Sequence, residues 1–106
     1  MITITFKPKT LELEITGHAE HNKKGEDIVC SAISTLFYTL GEALNQTGDL
    51  LEAPPVFKDE KGKGYLCCSP KKAYEGNIAC IYRTILIGME LVANNYPKNV
   101  TFKVGG

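Results

Sequence analysis

The hydrophobic period of this chain switches from two to about 3.6 and back, and that switch limits the folds open to it. In residues 2–6, Ile2, Ile4 and Phe6 alternate with Thr3 and Thr5; in residues 10–16, Leu11, Leu13 and Ile15 alternate with Glu12, Glu14 and Thr16. Each run reads as a half-buried strand. Pro8 prevents a simple continuation between them, so they pair as an antiparallel hairpin. From residue 28 to 46 the spacing changes: Val29, Ile33, Leu36, Phe37, Leu40 and Leu44 form one helical stripe. Asp27 is a good N-cap for this helix and Gly48 a stop signal.

Residues 53–69 read as a loop, a short strand, a lysine-rich turn with Gly62 and Gly64, and a strand from Tyr65 to Ser69. A second helix spans 74–94, with Ile78, Ile81, Ile85, Met89 and Val92 as its stripe. Leu86, Ile87 and Leu91 widen that apolar face, which suits deep burial or contact with a second subunit. Residues 99–104 alternate once more and close the chain as a strand. With the short strand left aside, the order is β-β-α-β-α-β. The fold class expected is α+β, two long helices packed on a mostly antiparallel sheet.

Several classes of function are disfavoured. A chain of 106 residues makes one domain that buries roughly two thirds of its unfolded surface. Lys+Arg and Asp+Glu balance at 12 each, so no strong field points to direct nucleic-acid binding or an anionic membrane. No unbroken apolar run approaches the roughly 20 residues of a membrane span, and the N-terminus lacks a signal-peptide pattern. A cytoplasmic location is expected. Of the four cysteines, Cys67, Cys68 and Cys80 read as small core-filling residues, with Cys67 and Cys68 on opposite faces of a strand. No C-x-x-C is present, and neither a metal nor a cofactor is expected.

The fourth cysteine is different. In "GHAEHNKKGEDIVCSAIS", residues 17–34, His18 follows a strand and Cys30 stands near the third position of a helix. Unsatisfied N–H groups and the positive dipole end there favour a thiolate. The same groups suit an oxyanion, the Ser31 amide being one candidate donor. A histidine within reach makes a nucleophile and proton shuttle. His18 is the better placed, and His21 is its competitor in the loop. If the alternation survives Gly17, His18 shares the polar face of Glu12 and Glu14. Asp27 either caps the helix or orients the histidine. Ser34, one turn after Cys30, either orients the pair or bonds back to the Cys30 carbonyl. Ala19, Glu20, His21, Asn22, Lys23, Lys24, Gly25 and Glu26 form an aperiodic polar loop, a candidate lid over substrate. Its companion walls are expected to be the Glu12–Glu14 face and residues 54–65. The rival reading is a non-catalytic ribosome-assembly or protein-binding module in which Cys30 is only core.

These motifs resemble those of the ribosomal-processing cysteine protease family, Prp. In that family a GHA motif carries the catalytic histidine and a D-I-V-C-A-A-x-S motif the nucleophile. The matching positions are Gly17, His18, Ala19, Gly25, Asp27, Ile28, Val29, Cys30, Ala32 and Ser34. Ser31 stands where the family usually has alanine, and the loop lacks an aromatic residue often found there. The resemblance covers essentially the whole chain. It implies a homodimeric α+β cysteine endopeptidase of Firmicutes and related bacteria, with His18 and Cys30 as catalytic residues. Its implied substrate is the large-subunit ribosomal protein L-twenty-seven, whose apolar, phenylalanine-bearing N-terminal extension it removes. The basic side of that substrate is expected to be drawn by Glu12, Glu14 and Glu26.

Overall fold

The computed structural model describes residues 1–17, 26–60 and 62–105, and of Glu26 and Asp27 the backbone alone. The two alternating runs form β1 (Ile2–Lys7) and β2 (Glu12–Thr16), an antiparallel hairpin in which Ile4 faces Ile15 and Phe6 faces Leu13. Helix α1 (Glu26–Gln46) follows, then the strands β3 (Val56–Glu60) and β4 (Lys63–Cys67), helix α2 (Glu75–Asn95) and β5 (Val100–Val104). Short 3-10 turns lie at Gly48–Leu50 and Lys72–Tyr74. The short strand read before the lysine-rich turn is therefore a full member of the sheet, making the order β-β-α-β-β-α-β.

The five strands lie in the order β3-β4-β2-β1-β5. Three pairings are antiparallel, and β5 alone runs parallel to its neighbour β1. The mostly antiparallel α+β architecture expected from the sequence is the one observed. The parallel pairing follows from the α2 crossover: a strand leaving one end of the sheet returns in register with β1 only after a helix has carried the chain back.

Both helices cover one sheet face. Ile4, Leu13 and Leu66 are fully buried beneath Val29, Leu40 and Leu44 of α1 and Ile78 and Met89 of α2. Each such aliphatic side chain contributes about 1.5–3 kcal/mol by leaving water. The α1 stripe is as expected except that Leu36 is half-buried, leaning on α2 where a Cβ at Gly88 would lie 3.0 Å from it. On α2, Tyr82 and Ala93 occupy the core in place of Ile81 and Val92, which are half-buried. Tyr82 is buried because its ring packs on Phe6, with centroids 5.6 Å apart, while its hydroxyl donates to Cys68 Sγ at 3.7 Å. Both helices are long and apolar enough, by length and composition alone, to cross a membrane. Run length understated this, because exposed Ile28, Ile87 and Leu91 raise the average. Core helices over a sheet meet the same measure.

The cysteines divide as their elements dictate. Cys68 is buried, Cys67 half-buried on the opposite side, and Cys80 exposed. Cys80 is thus not the core residue its size suggested. It lies between Ile78 and Tyr82, outside the stripe that faces the sheet.

Candidate active site

The helix α1 opens at Glu26, so Asp27 lies within its first turn and is not its N-cap. Cys30 is the fifth helical residue rather than the third. By that point the α-helical ladder has begun, and the Ser31 amide is one of its donors rather than an unsatisfied N–H. The Ser31 side chain is exposed, and its carbonyl accepts a 2.7 Å hydrogen bond from the Thr35 hydroxyl. Ser34 is one turn further along the face that carries Cys30, and both are half-buried.

The Cys30 side chain opens on a cavity of about 90 Å³, lined also by Ile2, Ile15, Gly17, Ile33, Ser34, Phe37, Tyr38, Asp59 and Gly64. Strands β1 and β2, helix α1, the β3–β4 hairpin and one strand end meet there. Strand β1 and strand β2 supply an apolar floor, α1 supplies the thiol and Ser34, and the β3–β4 hairpin supplies Asp59 and Gly64. The end of β2 supplies Gly17, the residue immediately before His18. The structure therefore brings Cys30 and Gly17 to one place. His18 itself lies outside the described residues, as do the candidate lid residues 19–25 and the side chains of Glu26 and Asp27.

Gly17 is required where it stands. Its φ of +80° lies in the left-handed region, and a Cβ there would overlap the Met1 carbonyl oxygen. Its amide donates to the Gly62 carbonyl at 3.1 Å, tying the strand end to the β3–β4 turn. The alternation of β2, which sets Glu12 and Glu14 on one face, thus stops at Thr16. That face is the other side of the sheet. There the Tyr65 hydroxyl donates to Glu12 Oε2 at 2.6 Å and the Thr10 hydroxyl to Glu12 Oε1 at 2.6 Å. These two bonds, Thr10 first, hold the Glu12 carboxyl below its ordinary pKa. Glu14 lines a separate recess with Lys58, Glu60, Lys63 and Tyr65. Neither glutamate is a wall of the Cys30 cavity.

The expected wall that is present comes from residues 54–65, but through Asp59 and Gly64. A separate groove of about 440 Å³, which shares Tyr38 with the Cys30 cavity, is lined by Tyr38, Gly41, Glu42, Asn45, Pro55 and Phe57. Phe37 and Phe57 stack at 4.8 Å between centroids, and Tyr38 lies 5.7 Å from Phe57. This aromatic wall was not visible in the sequence, because it depends on which face of β3 turns inward. The register decides that: Phe57 pairs with buried Leu66 and Asp59 with Gly64.

The pattern of the family described as "Cysteine protease Prp" matches residues 1–101. Proteins from two strains of Staphylococcus aureus, each called ribosomal processing cysteine protease Prp, are 25% identical over 99 residues, covering 93% of this chain and 91% of theirs. A crystal structure of a Streptococcus mutans protein is 27% identical with a TM-score of 0.72, covering 98% of this chain and 91% of that one. The S. aureus Prp crystal structure in complex with a substrate peptide shares the fold, with a TM-score of 0.74 at 19% identity over 98% of this chain and 99% of that one. A pattern matched from the first residue to residue 101, around a cavity shared by the cysteine and the glycine of the histidine motif, makes this chain a member of the Prp family of cysteine proteases.

Proposed function

We propose that this chain is a cysteine endopeptidase that removes the N-terminal extension of the large-subunit ribosomal protein L-twenty-seven in the cytoplasm, with Cys30 as nucleophile and His18 as general base and acid. The observation that carries the reading is the shared cavity of Cys30 and Gly17. Gly17, which precedes His18 in the sequence, lines the thiol's own pocket. The names of the S. aureus relatives, which refer to ribosomal processing, support the substrate class.

In this mechanism His18 takes the Cys30 proton and Sγ attacks the scissile carbonyl carbon. The carbonyl π pair moves onto oxygen, where N–H groups near the helix start and the positive end of α1 stabilise it. On collapse the C–N bond breaks and the leaving amine takes the proton from His18. A thioester to Cys30 remains. Water, deprotonated by His18, then attacks it, and the acid product leaves as Sγ recovers its proton. Asp27 and Ser34 are the supporting candidates, and Ser34 is the one that lines the cavity. The phenylalanines of the extension fit the groove walled by Tyr38 and Phe57, and residues 19–26 act as the lid over them. The protein works as a homodimer. That reading is supported by an apolar groove of about 340 Å³ whose walls include Phe6, Leu86, Ile87 and Val104, with Ile87 and Leu91 exposed on α2.

Mass spectrometry of the ribosomal protein after incubation tests the proposal. Cleavage is expected just after the phenylalanines, and it should be lost when they are replaced by alanine. Equal cleavage of a peptide lacking them would mean that this groove does not read them. An intact substrate after prolonged incubation would remove the proposal altogether.

A further inference from the structure

Strand β3 lies at the outer edge of the sheet, and its two sides differ in charge. Lys58 pairs with Tyr65 and Glu60 with Lys63, and all four line the recess on the open sheet face. Phe57 and Asp59 alternate with them and face the helix side, opposite Leu66 and Gly64. Among the described residues lining the Cys30 cavity, Asp59 is the one that carries a formal charge. The others are aliphatic, aromatic or glycine, apart from Ser34 and Cys30 themselves. Among the described residues no side chain donates to or pairs with the Asp59 carboxylate. An exposed anion set over apolar walls beside a nucleophile has one evident use in a peptide cleft: to read the charge of the chain that enters it.

Taking the protease reading as its basis, we infer that Asp59 is a specificity-determining residue, which favours substrates with a cationic side chain beside the scissile bond and disfavours acidic ones. Charge at the rim of a binding surface acts on encounter and register, and added salt weakens it. An exposed ion pair corresponds to about a two- to fivefold effect. Exchanging a cation for an anion on the substrate should therefore move kcat/KM by roughly five- to twentyfold.

Two measurements on the full chain test this. The first compares peptides differing only by Lys or Glu at single positions around the cleaved bond, with wild type, Asp59→Asn and Asp59→Lys. The Lys/Glu ratio of kcat/KM should exceed one at one position or more, fall toward one in Asp59→Asn, and invert in Asp59→Lys. The second does not need turnover. Cys30 is modified with trimethylammonioethyl or sulfonatoethyl methanethiosulfonate, and peptide mapping uses exposed Cys80 as internal reference. The cationic reagent should be favoured at Cys30 in a manner that tracks residue 59, while the Cys80 ratio stays constant. If peptides are cut and their Lys/Glu ratio ignores residue 59, the inference is overturned whatever the reagents do. If no peptide is cut but reagent preference follows residue 59, the protease reading falls and the charge selection at the thiol stands. If neither peptides nor reagents respond, both are lost.

Discussion

In the proposed mechanism Cys30 and His18 carry the chemistry while Gly17 shapes the strand end, and substitutions should separate them. Cys30→Ala removes one atom from a half-buried position, so the fold should persist and peptide cleavage should vanish. Turnover by that variant above background would exclude Cys30 as nucleophile. His18→Ala should cost about 10²–10⁴-fold in turnover, the range of a positioned proton-transfer group. A larger loss in His21→Ala would transfer the role to that residue. Gly17→Ala touches no reacting atom, yet it combines a left-handed backbone costing about 1–2 kcal/mol with a clash against the Met1 carbonyl. Lower thermal stability and reduced cleavage should appear together. A stable Gly17→Ala enzyme of full activity would show that the strand end need not be held in this shape. Rapid alkylation near neutral pH should single out Cys30 over Cys68, whose thiol pKa is pushed up chiefly by burial.

At the scale of elements, the groove walled by Tyr38 and Phe57 depends on how α1 holds the edge strand β3. The residues of β3 are all exposed, so its position rests on the ladder to β4 and on Phe57 lying against α1. A Cβ at Gly41 would come within 2.6 Å of the Phe57 ring. Gly41→Ala gains helix propensity of about 1 kcal/mol in isolation, but here it must push the ring off Phe37. The expected result is net destabilisation, relieved when Phe57→Ala is combined with it. Urea denaturation of the double-mutant cycle measures the coupling, and strict additivity would mean that the ring moves aside freely. On the other side of the core, burial raises the pKa of both Tyr82 and Cys68. The folded state keeps these protons where the unfolded chain would release them. Their contribution is therefore complete below the ordinary values of 9.0 and 10.0 and declines as pH rises past them. Urea midpoints should fall between about pH 8 and about pH 10.5, and the fall should be smaller in Tyr82→Phe.

For the whole molecule, two helices cover one face of the sheet while the outward side of α2 keeps Ile87 and Leu91 in solvent. An exposed apolar strip on a small domain is the usual mark of an interface. Ile87→Asp with Leu91→Asp should leave the monomer fold intact, because neither residue belongs to the core, and should convert a dimer to monomer in analytical ultracentrifugation. An unchanged sedimentation coefficient would place any interface elsewhere. The lid belongs to this scale as well, since it joins the sheet to α1. Amide exchange of Cys30→Ala with and without substrate peptide should show protection across residues 19–26, and unchanged exchange there would count against closure.

Much of the molecule was determined by sequence alone, through local rules. Period two in residues 2–6 and 10–16 and period 3.6 in α1 are set by backbone geometry, so strands, helices and the buried face of α1 could be read directly. The GHA segment and the cysteine near a helix start could be picked out in the same way, being a matter of spacing and residue type. Tertiary structure decided what spacing leaves open. Tyr82 rather than Ile81 enters the core because the crossing of α2 over the sheet, with Phe6 and Cys68 beneath, selects the face. Gly17 ends the alternation of β2 because its φ of +80° is not that of a strand, and the Met1 carbonyl leaves no room for a Cβ there. Asp59, and neither Glu12 nor Glu14, lines the cavity of Cys30 because a β3–β4 register that pairs residue 59 with Gly64 turns it to that side, and a shift of one residue would have turned it away.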